Sequence, residues 1–185
     1  MAYAAAMTGP SIYLAPGASG GLSSIEPFVQ GLRALDYPVT AITLPRGAAE
    51  RAVPVYRAAL TEDGALIGGQ SFGGRVASLL AAEDPAAAAG LVLLCYPLHA
   101  PGRAESWRVR TEHWPRIRCP VLLLSGDRDP FARIGLLREA VGQLPHADLH
   151  VYPGVGHGLR SVKDDALERV AAFARSLAGP IHSRQ

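Results

Sequence analysis

Three short stretches carry residue types able to act together on one bond. They are Gly69-Gln70-Ser71-Phe72-Gly73, Gly126-Asp127-Arg128-Asp129-Pro130 and Gly156-His157-Gly158. A serine hydroxyl is a weak nucleophile until a base takes its proton and a third group orients that base. Serine, then carboxylate, then histidine along the chain supplies those three parts in an order known for this chemistry. The G-x-S-x-G spacing has a physical cause of its own. A chain that reverses sharply from strand to helix at Ser71 holds that residue in strained backbone angles. The positions two residues either side then nearly touch, so only very small residues fit there. The turn raises the hydroxyl at a helix N-terminus and aims the Phe72 amide where an oxyanion would form. The chemistry predicted is acyl transfer through a covalent serine intermediate.

Such a string alone is common in glycine-rich turns, and context makes it informative. The strand-like run 65–68 leads into it, and Phe72, Val76, Leu79 and Leu80 continue it as one helical stripe. His157 sits between glycines just past another strand-like run, which suits a general base. The other histidines fit blander roles. His146 and His150 are four apart, but Pro145 and the β-like run around them argue against a helical metal pair. His182 falls in the tail, and His99 and His113 fall in a long loop. Asp127 and Asp129 both follow a strand-like run, and both fit as the third group. At least one is expected to cap the following helix, because Asp is a favoured N-cap and Pro130 suits a first turn.

The elements that must position these residues alternate along the chain. Continuously apolar runs at 11–15, 39–43, 65–68, 90–95, 121–125 and 148–152 predict strands covered on both faces. Helical spacing joins Ile25, Phe28, Leu32 and Leu35; Val53, Tyr56 and Leu60; Phe131, Ile134, Leu137 and Val141; and Val162, Ala166, Val170, Phe173 and Leu177. Repeated βα units predict an α/β three-layer sandwich on a mostly parallel six-stranded sheet, with ligands beyond the carboxyl ends of the strands. One stretch breaks the rhythm. Residues 96–118 hold two tryptophans, two histidines and several prolines, which predicts a functional loop or a short helix.

Composition excludes other classes. The 185 residues suit one domain spanning 1–185, with a core of about 11–178 and a loose tail at 179–185. Apolar residues at 49% and charged residues at 18% place the chain among globular proteins. A net charge of +2 without a clustered basic run gives no nucleic-acid surface. Lys163 is the only lysine beside many arginines, which reads as a compositional bias. No run of about 20 apolar residues offers a membrane span, and the Ala-rich start lacks the basic residues of a signal peptide. Cys95 and Cys119 suit a reduced cytoplasm. They should lie at opposite ends of neighbouring strands, too far apart to bridge, and no metal spacing is present.

With these loops in hand, the chain resembles the α/β-hydrolase superfamily, and more narrowly its small cap-less branch of dienelactone-hydrolase-like domains. The matching residues are Ala15-Pro16-Gly17-Ala18-Ser19-Gly20, Gly69 to Gly74, Tyr96-Pro97-Leu98-His99, Arg110-Thr111-Glu112-His113, Gly126 to Phe131 and Gly156-His157. The resemblance implies a serine hydrolase acting on a small acyl substrate without a cofactor. It points to Asp129 as the acid, and to the Ala18 amide as the oxyanion donor beside Phe72. Pro16 stands where the family has His. The resemblance also implies a strand order of 2-1-3-4-5-6 without the first two strands of longer relatives, and an open site without a lid. Pro130 favours an extended Asp129, which would hold that side chain toward the crevice. Tyr96, His99, Arg103, Arg110 and His113 are candidate substrate contacts.

Two other readings compete. Eukaryotic relatives of the branch serve as subunits of complexes, so an idle module for protein–protein interaction is the alternative. A nucleotide-binding reading fares worse. Gly17-Ala18-Ser19-Gly20-Gly21 is not G-x-G-x-x-G, and Leu44-Pro45-Arg46 offers no acid for a ribose.

Overall fold

The computed structural model describes residues 9–178, so the expected tail at 179–185 and His182 lie outside the described residues. Six strands form one sheet: β1 (Ile12–Ala15), β2 (Val39–Ala41), β3 (Ala65–Gln70), β4 (Ala88–Leu94), β5 (Val121–Gly126) and β6 (Ala147–Tyr152). Five helices cover it: α1 (Gly21–Arg33), α2 (Ala49–Ala59), α3 (Phe72–Glu83), α4 (Ile134–Val141) and α5 (Lys163–Leu177). The strand order is β2-β1-β3-β4-β5-β6, and every pair is parallel. This is a minimal α/β-hydrolase fold in three layers.

Strand period divides the apolar residues between two cores. Tyr13, Ile67, Leu91, Leu93 and Leu123 point to the face packed by α2, α3 and α4. Ile12, Leu14, Leu66, Val92 and Leu122 point to the face packed by α1 and α5. Because both of their faces are covered, the inner strands β1, β3, β4 and β5 read in the sequence as near-continuous apolar runs, whereas the edge strands β2 and β6 carry polar residues and are partly exposed.

The helix stripes hold, with Leu60 and Val162 just outside α2 and α5 yet packed on the cores, and with two larger differences. Leu35 lies past the end of α1 and is exposed, because the helix stops at Arg33 and the chain turns through Asp36 at φ 64°. Phe131 lies before α4, in the loop leaving β5. The stretch 96–118 contains two 3-10 helices, Ala104–Arg110 and Trp114–Arg116. Trp107 and Trp114 bury there into the core shared with α3 and α4, and Trp114 meets Tyr96 edge-on at 5.0 Å. Cys95 and Cys119 are both free thiols, and burial pushes the Cys95 thiol up to about 12.

Tyr56 ties α2 to the middle of the sheet. Its hydroxyl is wholly buried, accepts the Gly68 N–H at 2.9 Å, and faces the carbonyls of Tyr13 and Gly68 at 2.7 and 2.8 Å as donor. A buried amide stripped of its partner costs about 1–3 kcal/mol. Tyr56→Phe is therefore expected to lower unfolding stability by roughly that amount in urea titrations, with the apolar packing of the ring intact.

Candidate active site

The site is built at the carboxyl ends of β3, β5 and β6, with the loop after β1 closing on it. Ser71 is the pivot between β3 and α3. Its backbone angles are φ 49° and ψ −112°, a region that side-chain-bearing residues rarely occupy. Its N–H donates to the Leu94 carbonyl at 2.8 Å, which fastens the turn to β4. The two flanking glycines explain how so sharp a turn fits. A Cβ at Gly69 would meet the Ala15 carbonyl oxygen at 2.3 Å and the Gly73 backbone at 2.9 Å. A Cβ at Gly73 would also meet the Ala15 oxygen at 2.3 Å.

Asp129 and His157 come from two loops fastened together. Asp127 N–H donates to Tyr152 O at 3.1 Å, and Arg128 N–H to Val155 O at 2.9 Å. The Gly154 N–H returns a bond to Asp127 Oδ1 at 2.7 Å. Gly126 permits this approach, since a Cβ there would lie 2.0 Å from the Val155 oxygen. His157 occupies the apex of a tight three-residue turn closed by Gly158 N–H to Gly156 O at 2.9 Å. Of its two glycine neighbours, Gly158 stands at φ 157°, whereas a Cβ at Gly156 would meet only the Arg128 oxygen, at 3.9 Å.

The three side chains form one line of hydrogen bonds. His157 Nδ1 lies 2.8 Å from Asp129 Oδ2, and His157 Nε2 lies 2.9 Å from Ser71 Oγ. A carboxylate oxygen only accepts, so the Nδ1 nitrogen carries the proton and Nε2 faces the serine hydroxyl with its lone pair. The Asp129 side chain is fully buried, and its other oxygen accepts the Phe131 N–H at 2.8 Å. The Phe131 ring lies against the imidazole, with centroids 4.4 Å apart. Sequence periodicity assigned Phe131 to the stripe of α4, and it sits on the imidazole instead.

The aspartates divide differently from the capping expectation. Neither caps α4, whose N-cap is Arg133. Asp127 serves the loop of His157 rather than its own, and Asp129 reaches the imidazole.

Two crevices flank Ser71. One, of about 700 Å³, is lined by Gln70 and His157 among others. The second, of about 450 Å³, is lined by Ala18, Phe72 and Leu44 to Gly47. Ala18 and Phe72 thus line the same crevice, and Gly17 brings that loop close to Ser71, its Cβ position 3.6 Å from Ser71 Cβ. Sequence reasoning missed Gln70 and the Leu44–Gly47 wall. Their position at the carboxyl end of β3 and in the loop past β2 was the available signal.

The five candidate substrate contacts in 96–118 line neither crevice. The buried tryptophans pull that segment down onto α3 and α4, and four of the five side chains are committed to internal bonds. Tyr96 donates its hydroxyl proton to Arg110 O at 2.6 Å, and the Arg110 guanidinium donates to Pro97 O at 2.9 Å. His99 bonds Ala100 O through Nδ1 at 2.9 Å and accepts the Arg133 N–H on Nε2 at 3.0 Å. His113 Nε2 lies 2.8 Å from Ser78 Oγ, whose own proton goes to Arg75 O at 2.7 Å. Arg103 is exposed on the surface. Among the described residues no cluster of three His, Cys, Asp or Glu side chains could hold a metal ion, and no helix is long and apolar enough to cross a membrane.

Comparison with known proteins agrees with this fold. A family model described as an alpha/beta hydrolase domain matches residues 46–179. Among solved structures, a Paleococcus ferrophilus monoacylglycerol lipase superposes with a TM-score of 0.79 at 14% identity, covering 90% of this chain and 94% of the lipase. A structure described under two metagenome-derived lipolytic enzymes gives 0.77 at 17% identity, over 91% and 96%. Est1E from Butyrivibrio proteoclasticus, bound to ferulic acid, gives 0.74 at 16% identity, over 91% and 89%. At these identities the likeness is one of fold.

Two outcomes are expected. Gly126→Ala should force the β5 and β6 loops apart, costing about 1–3 kcal/mol of stability as an overpacked contact does. Its crystal structure should show the Asp129–His157 distance lengthened. The second concerns acid. Burial, and then the Arg75 and Arg116 guanidinium groups, push His113 down from 6.5 to about 4. The unfolded chain therefore binds a proton that the fold refuses as pH falls from 6.5 towards 4. The penalty is absent above that range and grows on acidification. It levels off below pH 4 at on the order of 3 kcal/mol, each unit being about 1.4. His113→Gln should flatten this part of the acid stability profile in denaturant titrations between pH 4 and 7.

Proposed function

Because this chain belongs to the alpha/beta hydrolase domain family, we propose that it is a serine hydrolase that cleaves a carboxylic ester or thioester. Ser71 is the nucleophile, His157 the general base, Asp129 the orienting acid, and Ala18 and Phe72 the oxyanion donors. The single observation that carries this reading is the continuous hydrogen-bond line from Asp129 through His157 to a serine held at positive φ on a strand–helix turn.

The steps follow from the geometry. Ser71 Oγ attacks the acyl carbon as its proton passes to His157 Nε2, and the buried Asp129 carboxylate stabilises the imidazolium. Negative charge on the carbonyl oxygen meets the Phe72 amide at the start of α3 and the Ala18 amide across the second crevice. His157 then gives its proton to the departing alcohol or thiol, which leaves Ser71 acylated. Water, deprotonated by the same imidazole, releases the acid and restores the serine. Pro16 in place of histidine leaves the Ala18 amide unaltered, because the donor is backbone. The Tyr96-Pro97-Leu98-His99 and Arg110-Thr111-Glu112-His113 stretches support placing the enzyme in the cap-less dienelactone-hydrolase-like branch. The two free thiols fit a reduced, cytoplasmic setting.

Short acyl p-nitrophenyl esters should be hydrolysed by the purified protein, and a fluorophosphonate probe should label one serine. Ser71→Ala should remove both, with a loss of several orders of magnitude in turnover. Asp129→Asn should cost on the order of 10⁴ in turnover by stabilising the wrong imidazole tautomer, with little loss of fold. Undiminished turnover in Ser71→Ala would falsify the assignment. Labelling that fails in the wild type would favour the idle interaction module.

A further inference from the structure

The two crevices beside Ser71 differ in which reacting group they can receive. His157 Nε2 must reach both the serine oxygen and the leaving atom, so the leaving group departs on the imidazole side. That side is the crevice of about 700 Å³, whose walls include Phe28, Gln70, His157, Arg160, Ser161 and Lys163. The acyl substituent is left with the smaller crevice of about 450 Å³, walled by Ala18, Leu44, Pro45 and Phe72 together with Arg46 and others.

The larger crevice has one sign of charge. Arg160 and Lys163 both line it, and no carboxylate is among its lining residues. Arg160 is exposed and takes part in no ion pair among the described residues. Lys163 has only its neighbour Asp164, at 3.4 Å, with that carboxylate almost fully in solvent. The nearby Asp165 is occupied by Tyr152 and Arg169, at 2.7 and 2.6 Å. The Ser161 hydroxyl adds a donor to the same wall, while the Ser24 hydroxyl gives its proton to the Gly21 carbonyl at 2.9 Å. A crevice lined by one sign of charge concentrates substrate of the opposite sign.

We propose that the alcohol or thiol released by this enzyme carries an anionic group, phosphate or carboxylate, that Arg160 and Lys163 hold in the crevice beside His157. This rests on the hydrolase reading above and adds the substrate class to it. The contact lies away from the reacting carbon and is equally made before and during attack, so it acts as uniform binding and enters KM rather than kcat.

The test uses butyryl esters of matched primary alcohols: glycerol, glycerol 3-phosphate, 3-hydroxypropionate and choline. Expected is a preference in kcat/KM of about tenfold for the anionic esters over the glycerol ester, as two partly exposed contacts supply. The choline ester should rank last, the preference should reside in KM, and it should shrink at high salt. The phosphate and carboxylate arms tell which anion fits better. Arg160→Gln/Lys163→Gln should bring the ratios close to one. Arg138→Gln/Arg175→Gln, which removes the same charge from exposed positions on α4 and α5, should leave them as they are. Equal kcat/KM across the four esters with Ser71-dependent turnover would sink this proposal and leave the hydrolase reading standing. Ratios that fall equally in both double variants would also sink it, since bulk charge would then be the cause. Absence of Ser71-dependent turnover on every ester would remove the hydrolase reading itself.

Discussion

The Ala15 carbonyl, at the end of β1, projects into a gap that side chains would close. Gly69 and Gly73 both press on it, and a Cβ on either would come within 2.3 Å of its oxygen. Between them the backbone turns through Ser71 at φ 49°. Strain of this kind costs of order 1–3 kcal/mol and persists only where surrounding structure over-determines it. Here three elements do so. β1 supplies the obstacle, β4 supplies the Leu94 carbonyl that receives the Ser71 N–H, and the apolar stripe of α3 buries Val76, Ala77 and Leu80 behind the turn. The order of strands follows from the same constraint, because β3 must lie between β1 and β4 for both contacts to exist.

The opposite half of the site depends on a second close approach. Gly126 lets the loop after β5 lie on the loop after β6, and three hydrogen bonds fasten them. The separation between Asp129 and His157 is thereby set by backbone rather than by long, mobile side chains. Asp129 then needs only to be buried, with one oxygen on the Phe131 amide and the other on the imidazole. Both oxygens thus have donors, which offsets the cost of taking the group out of water, so burial and orientation are solved together.

Much of this was legible in the sequence because it rests on steric necessity. The glycines around Ser71, the apolar runs of the inner strands and the order of the three motifs each follow from a local rule. Asp129 was singled out by the resemblance and by Pro130, which favours an extended residue before it. The partner of Asp127 was not legible: it meets the Gly154 amide across the loop, which no spacing rule contains. In the stretch 96–118 the short helices were expected, but the candidate substrate contacts line neither crevice, for a related reason. Its histidines and arginines suggest a pocket when counted, but Trp107 and Trp114 carry far more apolar surface, and their burial decides where the segment lies. Phe131 shows the opposite limit. Its spacing fits the stripe of α4, yet the chain has not turned into helix there, and the ring packs on the imidazole.

The molecule also contains a second serine–histidine pair against which the proposed catalytic pair can be compared. Ser78 and His113 stand 2.8 Å apart, as near as Ser71 and His157 at 2.9 Å. Distance therefore does not separate them; proton direction does. The Ser78 hydroxyl spends its one proton on the Arg75 carbonyl, so His113 Nε2 must donate to the serine and cannot accept from it. No carboxylate meets the other ring nitrogen among the described hydrogen bonds, while Arg75 and Arg116 oppose any positive charge on the ring. At His157 every one of these signs is reversed. The carboxylate of Asp129 fixes the proton on Nδ1, Nε2 is left as the acceptor, and an imidazolium formed there has a buried negative partner. Helix α3 carries Ser78 on its buried side and begins just past Ser71 at the strained turn. The same pair of residue types thus serves as packing in one place and fits nucleophilic chemistry in the other, and the third group with the backbone angle makes the difference.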